Sequence, residues 1–229
     1  MRVIVTRARG DAARTAAALR ARGHEPLLSP VLEIVGAGAA ISPGEARAVI
    51  ATSAHAFEFL PQEGAAQLVH FPLFVVGART AKAATDSGLA PPRVIAASAL
   101  ELAQQIGTAL PTPAHLLYLA GHDRKPDLEA ALQALGHVID VAETYEARAV
   151  EALSPETAQA LARGEADAVL HFSRRSAQLF ASCAAKAGLA TQAARLRHIC
   201  ISRDAALGAG AVIAPTPDSA GLFKALEQM

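Results

Sequence analysis

The sequence predicts an α/β protein built from two similar domains, each a parallel sheet flanked by helices. Short apolar strands alternate with helical segments along the 229 residues, and the same order of elements occurs in both halves of the chain. The composition is 52% hydrophobic with only 4% aromatic residues, which favours many small helices packed on sheets over a β-sandwich. Alternating strands and helices are typical of parallel sheets covered on both faces.

The first elements predict a β-α-β unit. "RVIVTR" reads as a strand, "DAARTAAALRARG" as a helix that opens at Asp11 and closes at Gly23, and "EPLLSPVLEI" as a second strand. Aspartate before the first turn and glycine after the last turn are the usual start and stop signals of a helix. The unit recurs from residue 115, where a Gly-His pair at 136–137 stands 113 positions after the pair at 23–24.

A second repeat is visible between the two halves. "AVIATSAHAFEFL" at 48–60 and "AVLHFSRRSAQLF" at 168–180 align without a gap at an offset of 120, and each predicts a buried strand, a hydroxyl and a helix. The strand, turn and helix predicted at 75–88 also recur at 200–210, in a segment that is three residues shorter. The chain is therefore an imperfect tandem duplication whose halves meet near 110–115.

Charge and composition exclude several classes of partner. Lys plus Arg equals Asp plus Glu at 21 each, so no overall field attracts nucleic acid or a membrane surface. No leader and no apolar run of roughly 18 residues is visible, so we expect a cytoplasmic protein with reduced thiols at Cys183 and Cys200. Neither cysteine has zinc-site spacing, so we expect no metal.

The turns after the strands are the predicted ligand site, because parallel α/β sheets bind ligands outside the carboxyl ends of their strands. Helix N-termini there present unpaired N–H groups and a partial positive charge, which suit anions. The candidate donors in these turns are Arg7, Ser53, Gly77, Arg79, Thr80, Gly121, Ser173, Arg174 and Ser202.

The turns fit separated carboxylates better than a nucleotide. The chain has no GxxxxGK[ST] motif and no GxGxxG after its first strand, and "VGARTA" has a single glycine. A pyrophosphate would therefore lack the close backbone approach that it requires. Several separate turns, each with two or three donors, suit a ligand with several separated carboxylates.

Structural interpretations of these residues stay open beside the functional ones. Ser53, Thr80 and Ser173 stand where hydroxyl residues commonly cap helices, the arginines could be solvated surface, and Tyr145 could pack at a strand end. At the level of function, a non-catalytic two-domain protein that binds or senses small anions is the alternative. A nucleotide- or sugar-phosphate-dependent transferase is disfavoured by the missing glycines.

The order of these motifs resembles the uroporphyrinogen-III synthase family over nearly the whole chain. The most specific motifs are "VGARTAKA" at 76–83 and the tyrosine that follows "GHVIDVAE", which is Tyr145. The family implies two similar α/β domains joined by a two-strand linker with a cleft between them. The resemblance assigns residues 1–33 plus 149–229 to the first domain and residues 34–148 to the second.

The resemblance also implies the activity. The family closes hydroxymethylbilane, a linear tetrapyrrole with eight carboxylates, into a macrocycle with inversion of the last pyrrole ring, as a cofactor-independent cyclising hydro-lyase of tetrapyrrole and haem biosynthesis. Its functional positions fall on Ser53, Thr80, Tyr145 and Ser173, with Tyr145 as the acid that assists departure of the hydroxyl. We expect a monomer whose only partner is this substrate.

Overall fold

The computed structural model describes residues 1–228 and separates into two compact units. The terminal unit comprises Met1–Glu33 together with the chain from Arg148 onward, and the middle unit is Ile34–Ala147. The chain thus leaves the terminal unit once, completes the middle unit, and returns. Each unit contains one sheet.

Most of the strands are short, with four or five residues each. In chain order they are β1 (Arg2–Val5), β2 (Glu25–Leu28), β3 (Leu32–Gly36), β4 (Ala48–Ala51), β5 (Leu73–Val76), β6 (Val94–Ala96), β7 (His115–Gly121), β8 (Val138–Ala149), β9 (Ala168–His171), β10 (Arg197–Cys200) and β11 (Val212–Ile213).

The helices alternate with these strands and bury their apolar faces on the sheets. They are α1 (Arg9–Arg20), α2 (His55–Glu58), α3 (Gln62–Leu68), α4 (Ala78–Asp86), α5 (Ala99–Ala109), α6 (Asp127–Ala134), α7 (Pro155–Arg163), α8 (Arg174–Lys186), α9 (Ala190–Ala194) and α10 (Ser219–Glu227), with a 3₁₀ turn at Arg203–Ala205.

Both sheets follow the doubly wound pattern. The terminal sheet has the order β11-β10-β9-β1-β2 with parallel neighbours. The middle sheet has the order β3-β8-β7-β4-β5-β6, in which β8 to β6 run parallel. Each sheet carries a hydrophobic cluster on both faces, which explains the fully buried strands Ala48–Ala51 and Ala168–His171. The predicted fold class is therefore confirmed.

The element bounds agree with the repeats in the sequence. β9 begins 120 residues after β4, and β8 begins 113 residues after β2. The duplication is thus a repeat of structure as well as of sequence.

Three local expectations were wrong. Helix α1 begins at Arg9 rather than at Asp11, and the Asp11 carboxylate binds the Arg7 and Arg14 side chains instead of capping the helix. "EPLLSPVLEI" forms two strands in different sheets, β2 and β3, which are separated by residues 29–31. The segment after β10 forms only the 3₁₀ turn Arg203–Ala205, since the shortened repeat has no room for a counterpart of α4.

Among residues 1–228, no helix combines the length and the apolar character that crossing a bilayer requires.

Candidate functional site

The carboxyl edge of the middle sheet carries most of the predicted site residues. Ser53 follows β4, Gly77 and Thr80 follow β5, Gly121 ends β7, and Tyr145 lies in β8. These four strands are consecutive neighbours in the order β8-β7-β4-β5. Since parallel strands end at one edge, the sheet aligns these residues along a single rim.

Tyr145 and Gly121 form the closest pair on this rim. The register of β7 and β8 shifts between Ala120 and Gly121, so that Tyr145 rather than Thr144 stands opposite Gly121. A Cβ atom built on Gly121 would lie 2.6 Å from the Tyr145 Cζ and 2.9 Å from its hydroxyl oxygen. The bulge therefore directs the phenol against the backbone of β7, a position that only glycine permits.

A pocket of about 230 Å³ adjoins this pair. Its wall contains Gly121 and Tyr145, and also Thr52, Tyr118 and the charged turn 123–127, which were not predicted as site residues. The Tyr118 hydroxyl and the Thr52 Oγ1 share a hydrogen bond of 2.8 Å, and burial raises the pKa of Tyr118 above its ordinary value. Tyr118 therefore remains a neutral phenol.

Tyr145 is half-buried, and its ring contacts the ring of His55. The His55 and Tyr145 ring centroids are 5.6 Å apart in a tilted arrangement, and the tyrosine packs against the core cluster beneath α2 and α4. His55 Nδ1 lies 2.6 Å from a Glu58 carboxylate oxygen. The phenol is thus fixed on one side by backbone and on another by a ring.

Arg124 lines the pocket and is surrounded by further charged side chains. Arg124 donates hydrogen bonds of 2.8 Å to both Glu129 and Glu143, and these carboxylates raise the pKa of Arg124. His122 Nδ1 lies 2.8 Å from a Glu143 carboxylate oxygen, and this hydrogen bond raises the pKa of His122. The same contact, followed by the one from Arg124, lowers the pKa of Glu143. The cluster therefore keeps the Glu143 carboxylate ionised, paired with His122 and Arg124.

The turn after β5 leaves backbone donors open. Gly77 is the N-cap of α4 with φ 81°, and its side of the helix has no side-chain cap. Thr80 stands inside the first turn and is buried, so the capping interpretation does not apply to it. Arg79 reaches a Glu58 carboxylate oxygen at 3.6 Å. The turn has the uncapped N–H groups that bind anions.

Ser53 has a more local contact. Its Oγ accepts a hydrogen bond of 3.3 Å from the His55 N–H, while Ala54 is the N-cap of the short helix α2. Ser53 therefore stabilises the turn that carries His55 toward the tyrosine.

The remaining predicted residues lie on the carboxyl edge of the terminal sheet. Arg7 follows β1, Ser173 and Arg174 follow β9, and Ser202 follows β10, and these three strands are neighbours. The Arg7 guanidinium donates to Asp11 at 2.7 Å and lies 4.4 Å above the Phe172 ring.

The hydroxyls of this second edge differ in their contacts. Ser173 caps α8 in a reciprocal capping box, in which its Oγ accepts from the Ser176 N–H and the Ser176 Oγ accepts from the Ser173 N–H, both at 3.1 Å. Ser202 precedes the 3₁₀ turn without a side-chain cap, and Arg174 lies 3.7 Å from an Asp204 carboxylate oxygen. The capping interpretation therefore holds for Ser173 alone.

The sequence missed Thr52, Tyr118 and Arg124. The sequence carried a signal for two of them, because Tyr118 is the other tyrosine of the chain and Arg124 lies in the "LAGHDRK" turn. The predicted residues Ser53, Gly77, Arg79 and Thr80 lie on the same rim but not in the wall of the pocket.

Comparisons with known proteins agree on one family. Residues 13–224 match the family model described as uroporphyrinogen-III synthase HemD. Uroporphyrinogen-III synthetase from Helicobacter pylori 26695 is a similar solved structure, with a TM-score of 0.67 and 19% identity over 100% of both chains. A mutant uroporphyrinogen III synthase from the extremely thermophilic bacterium Thermus thermophilus is similar with a TM-score of 0.54 and 20% identity over 100% of both chains. None of the curated proteins matches the sequence.

Proposed function

Because the chain belongs to the uroporphyrinogen-III synthase family, we propose that it closes hydroxymethylbilane to uroporphyrinogen III with Tyr145 as the general acid. The family is one of cofactor-independent cyclising lyases of tetrapyrrole biosynthesis, which favours an enzyme over the anion sensor. One observation carries the assignment of the acid. The bulge in β8 and the bare backbone of Gly121 hold the Tyr145 phenol at the edge of a pocket.

The first step is the departure of the hydroxyl group. The Tyr145 phenol donates a proton to the hydroxymethyl oxygen as the carbon–oxygen bond breaks, which releases water and leaves an azafulvene cation. Tyr145 suits this role because its ring contacts Gly121 and His55 while the residue lines the pocket.

Ring closure follows from the position in which the substrate is held. The substituted carbon of the last pyrrole attacks the cation, and the resulting spirocyclic intermediate fragments and recloses with that ring inverted. The proton that is lost as the last ring regains its aromaticity restores the phenol of Tyr145. Because the free substrate can also close without inversion, the protein must favour the strained approach by positioning.

Each sheet edge, considered by itself, offers donors for carboxylates of the substrate. In the middle unit these are the N–H groups at the start of α4, the Thr80 hydroxyl and the Ser53 hydroxyl. In the terminal unit they are Ser202, Ser173 and the start of α8. Helix N-termini bind carboxylates without a metal, and their partial positive charges suit a polyacid.

Acidic side chains of the protein already contact the arginines that were predicted to bind substrate. Arg7 and Arg174 each lie near an aspartate of their own unit, Asp11 and Asp204. A substrate carboxylate would have to compete with these contacts. We therefore propose that backbone donors and hydroxyls do most of the binding and that arginines assist from the rim.

The decisive experiment is a product assay with Tyr145→Phe. Hydroxymethylbilane is generated in situ, the protein is added, and the type I and type III isomers are separated. The wild type is expected to give type III, and Tyr145→Phe to slow it roughly tenfold or more because the ring stays and only the acid is lost. Unchanged kinetics of the variant would remove Tyr145 from the acid role.

The same assay tests the reaction itself. If the wild-type protein bound the tetrapyrrole but gave only the spontaneous type I product, the anion-sensor alternative would replace the proposed activity. Product analysis thus separates failure of the reaction from failure of the Tyr145 assignment.

We propose further that the protein acts in the cytoplasm as a monomer without nucleic acid. Both cysteines, Cys183 and Cys200, are free and buried, and the formal net charge is +0. Gel filtration with light scattering at micromolar concentration is expected to give the mass of one chain, 23.5 kDa. A dimer mass would contradict the proposal.

A further inference from the structure

A histidine–glutamate pair stands beside Tyr145 on the four-residue helix α2. His55 and Glu58 are three positions apart and therefore lie on one face of this helix. The two residues between them, Ala56 and Phe57, are buried in the core cluster of the middle unit. His55 Nδ1 lies 2.6 Å from the Glu58 Oε2 atom. A carboxylate oxygen can only accept, so Nδ1 carries the proton and donates it to Glu58.

The internal repeat does not require this pair. At the offset of 120, His55 and Glu58 correspond to Arg175 and Gln178 in helix α8 of the terminal unit. The equivalent helix therefore has neither an imidazole nor a carboxylate at these two positions. A strand, turn and helix of this kind thus forms without a His–Glu pair.

Two contacts from α4 fix the helix that carries the pair. Helices of only four residues have little stability of their own, and α2 has no side-chain cap. The Ser87 Oγ at the end of α4 donates a hydrogen bond of 3.2 Å to the Phe57 carbonyl. Arg79 in the first turn of α4 lies 3.6 Å from the Glu58 Oε1 atom, while Oε2 binds His55. Glu58 therefore joins α4 to the imidazole.

The imidazole in turn contacts the Tyr145 ring. The centroids of the His55 and Tyr145 rings are 5.6 Å apart at an interplanar angle of 58°, which is a favourable arrangement for an aromatic pair. The His55 side chain is only 16% exposed. Because the hydrogen bond to Glu58 sets the orientation of the imidazole, it also sets the surface against which the phenol packs.

We propose that His55 is a positioning residue for Tyr145 and that Glu58 orients His55 through the Nδ1 hydrogen bond. This inference rests on the proposed function, because it concerns the residue assigned there as the acid. His55 does not line the pocket of about 230 Å³, so its effect passes through the phenol rather than through a contact with substrate. A misplaced acid slows the chemical step, so kcat depends on the pair more than KM does.

Two variants of Glu58 separate the orientation of His55 from the loss of charge. Glu58→Ala and Glu58→Gln both remove the negative charge that faces Arg79, but only glutamine keeps an oxygen that accepts from the His55 Nδ1. In the type III product assay, Glu58→Ala is expected to lower kcat roughly threefold to tenfold, and Glu58→Gln to stay within about twofold of the wild type.

Asp86→Ala is the matched control for the loss of a carboxylate. Asp86 is an exposed residue of the neighbouring helix α4 whose carboxylate pairs with Lys82. Its removal is expected to leave kcat unchanged.

A double-mutant cycle tests whether His55 acts through the phenol hydroxyl. His55→Ala alone is expected to lower kcat roughly threefold to tenfold with little change in KM. In the Tyr145→Phe background, where the hydroxyl is absent, the same substitution is expected to have no further effect on kcat.

Ring-labelled tyrosine gives a measurement that does not depend on activity. The chain has two tyrosines, so the spectrum of a protein with ¹³C in its tyrosine rings contains two sets of signals, and Tyr145→Phe identifies the set of Tyr145. Glu58→Ala is expected to shift this set because the imidazole beside the ring reorients. Glu58→Gln is expected to leave it in place.

The outcomes distinguish this inference from the proposed function. Equal losses of kcat in Glu58→Ala and Glu58→Gln, additive losses in the cycle, or Tyr145 signals that Glu58→Ala leaves unmoved would overturn the positioning role alone. Wild-type kinetics of Tyr145→Phe would overturn the acid assignment and the positioning role with it.

Discussion

At the scale of single residues, the position of the Tyr145 ring depends on the missing side chain of Gly121. The Tyr145 ring occupies the space where any other residue would have its Cβ, with the ring carbon Cζ only 2.6 Å away. The neighbouring atoms belong to a ring that packs on the core and contacts His55, so the ring cannot move aside freely.

Gly121→Ala is therefore expected to displace the phenol. The free energy of unfolding should fall by about 1–3 kcal/mol through overpacking, and type III product formation should slow at least as much as in Tyr145→Phe. Urea denaturation and the product assay measure the two effects. Gly10→Ala is the matched control, because a Cβ there meets nothing within 4 Å. Full activity of Gly121→Ala would show that the phenol need not lie against β7.

A second residue, His171, predicts acid sensitivity. Its folded-state pKa of about 3 lies below the ordinary 6.5. Between these two pH values the imidazole is therefore protonated in the unfolded chain and neutral in the folded chain. The stability that neutral His171 contributes is therefore fully present above about pH 6.5. It is lost as the pH falls toward 3, by on the order of 4 kcal/mol.

The measurement is chemical denaturation at pH values from 7.5 to 4 for the wild type and for His171→Phe. The wild-type free energy of unfolding is expected to fall more steeply with acid than that of the variant. Parallel slopes for the two proteins would contradict the assignment of this acid sensitivity to His171.

At the scale of elements, helix α8 provides a test of whether Ser173 only caps the helix or also binds substrate. The Ser173 side chain caps this helix in the terminal unit, and the Ser154 side chain caps α7 of the same unit by accepting from the Thr157 N–H. A capping hydroxyl that also meets substrate has two roles, and suitable substitutions distinguish them.

Ser173→Ala and Ser154→Ala are each expected to cost about 1 kcal/mol of stability, because one helix N–H loses its partner. Ser173→Asn should restore stability, since asparagine is also a good N-cap. If Ser173 binds substrate, Ser173→Ala raises the KM several-fold while Ser154→Ala does not. Equal steady-state constants in the two alanine variants would leave Ser173 with capping alone.

At the scale of the whole molecule, two sheets with separate cores divide the chain. Ile4 at the centre of the terminal sheet and Ile50 at the centre of the middle sheet are both fully buried, and they belong to different clusters. Each sheet buries its own apolar surface on both faces, so each unit has its own source of stability.

Ile4→Ala and Ile50→Ala are expected to cost about 2–5 kcal/mol each by leaving cavities. Hydrogen exchange with mass spectrometry should show faster amide exchange in the terminal unit for Ile4→Ala and in the middle unit for Ile50→Ala. Faster exchange spread evenly over both units in either variant would mean that the chain unfolds as one cooperative body.

The fold class was readable from the sequence because it depends on local patterns. A buried strand reads as a short apolar run, and the gapless repeat that aligns 48–60 with 168–180 matched β4 with β9 to the residue. The positions of Tyr145 and of the turns after β4, β5 and β9 followed from the resemblance and from the rule on strand ends. Such features depend on neighbours along the chain, so one sequence determines them.

Tertiary structure decided the contacts between distant segments. The bulge that places Tyr145 opposite Gly121, the hydrogen bond between His171 and His198, and the contact between His55 and Tyr145 all depend on strand register and on which elements pack together. A shift of one residue in register changes every such contact while leaving each local pattern intact. The sequence by itself thus determined most of the elements and their order, and packing determined which side chains meet.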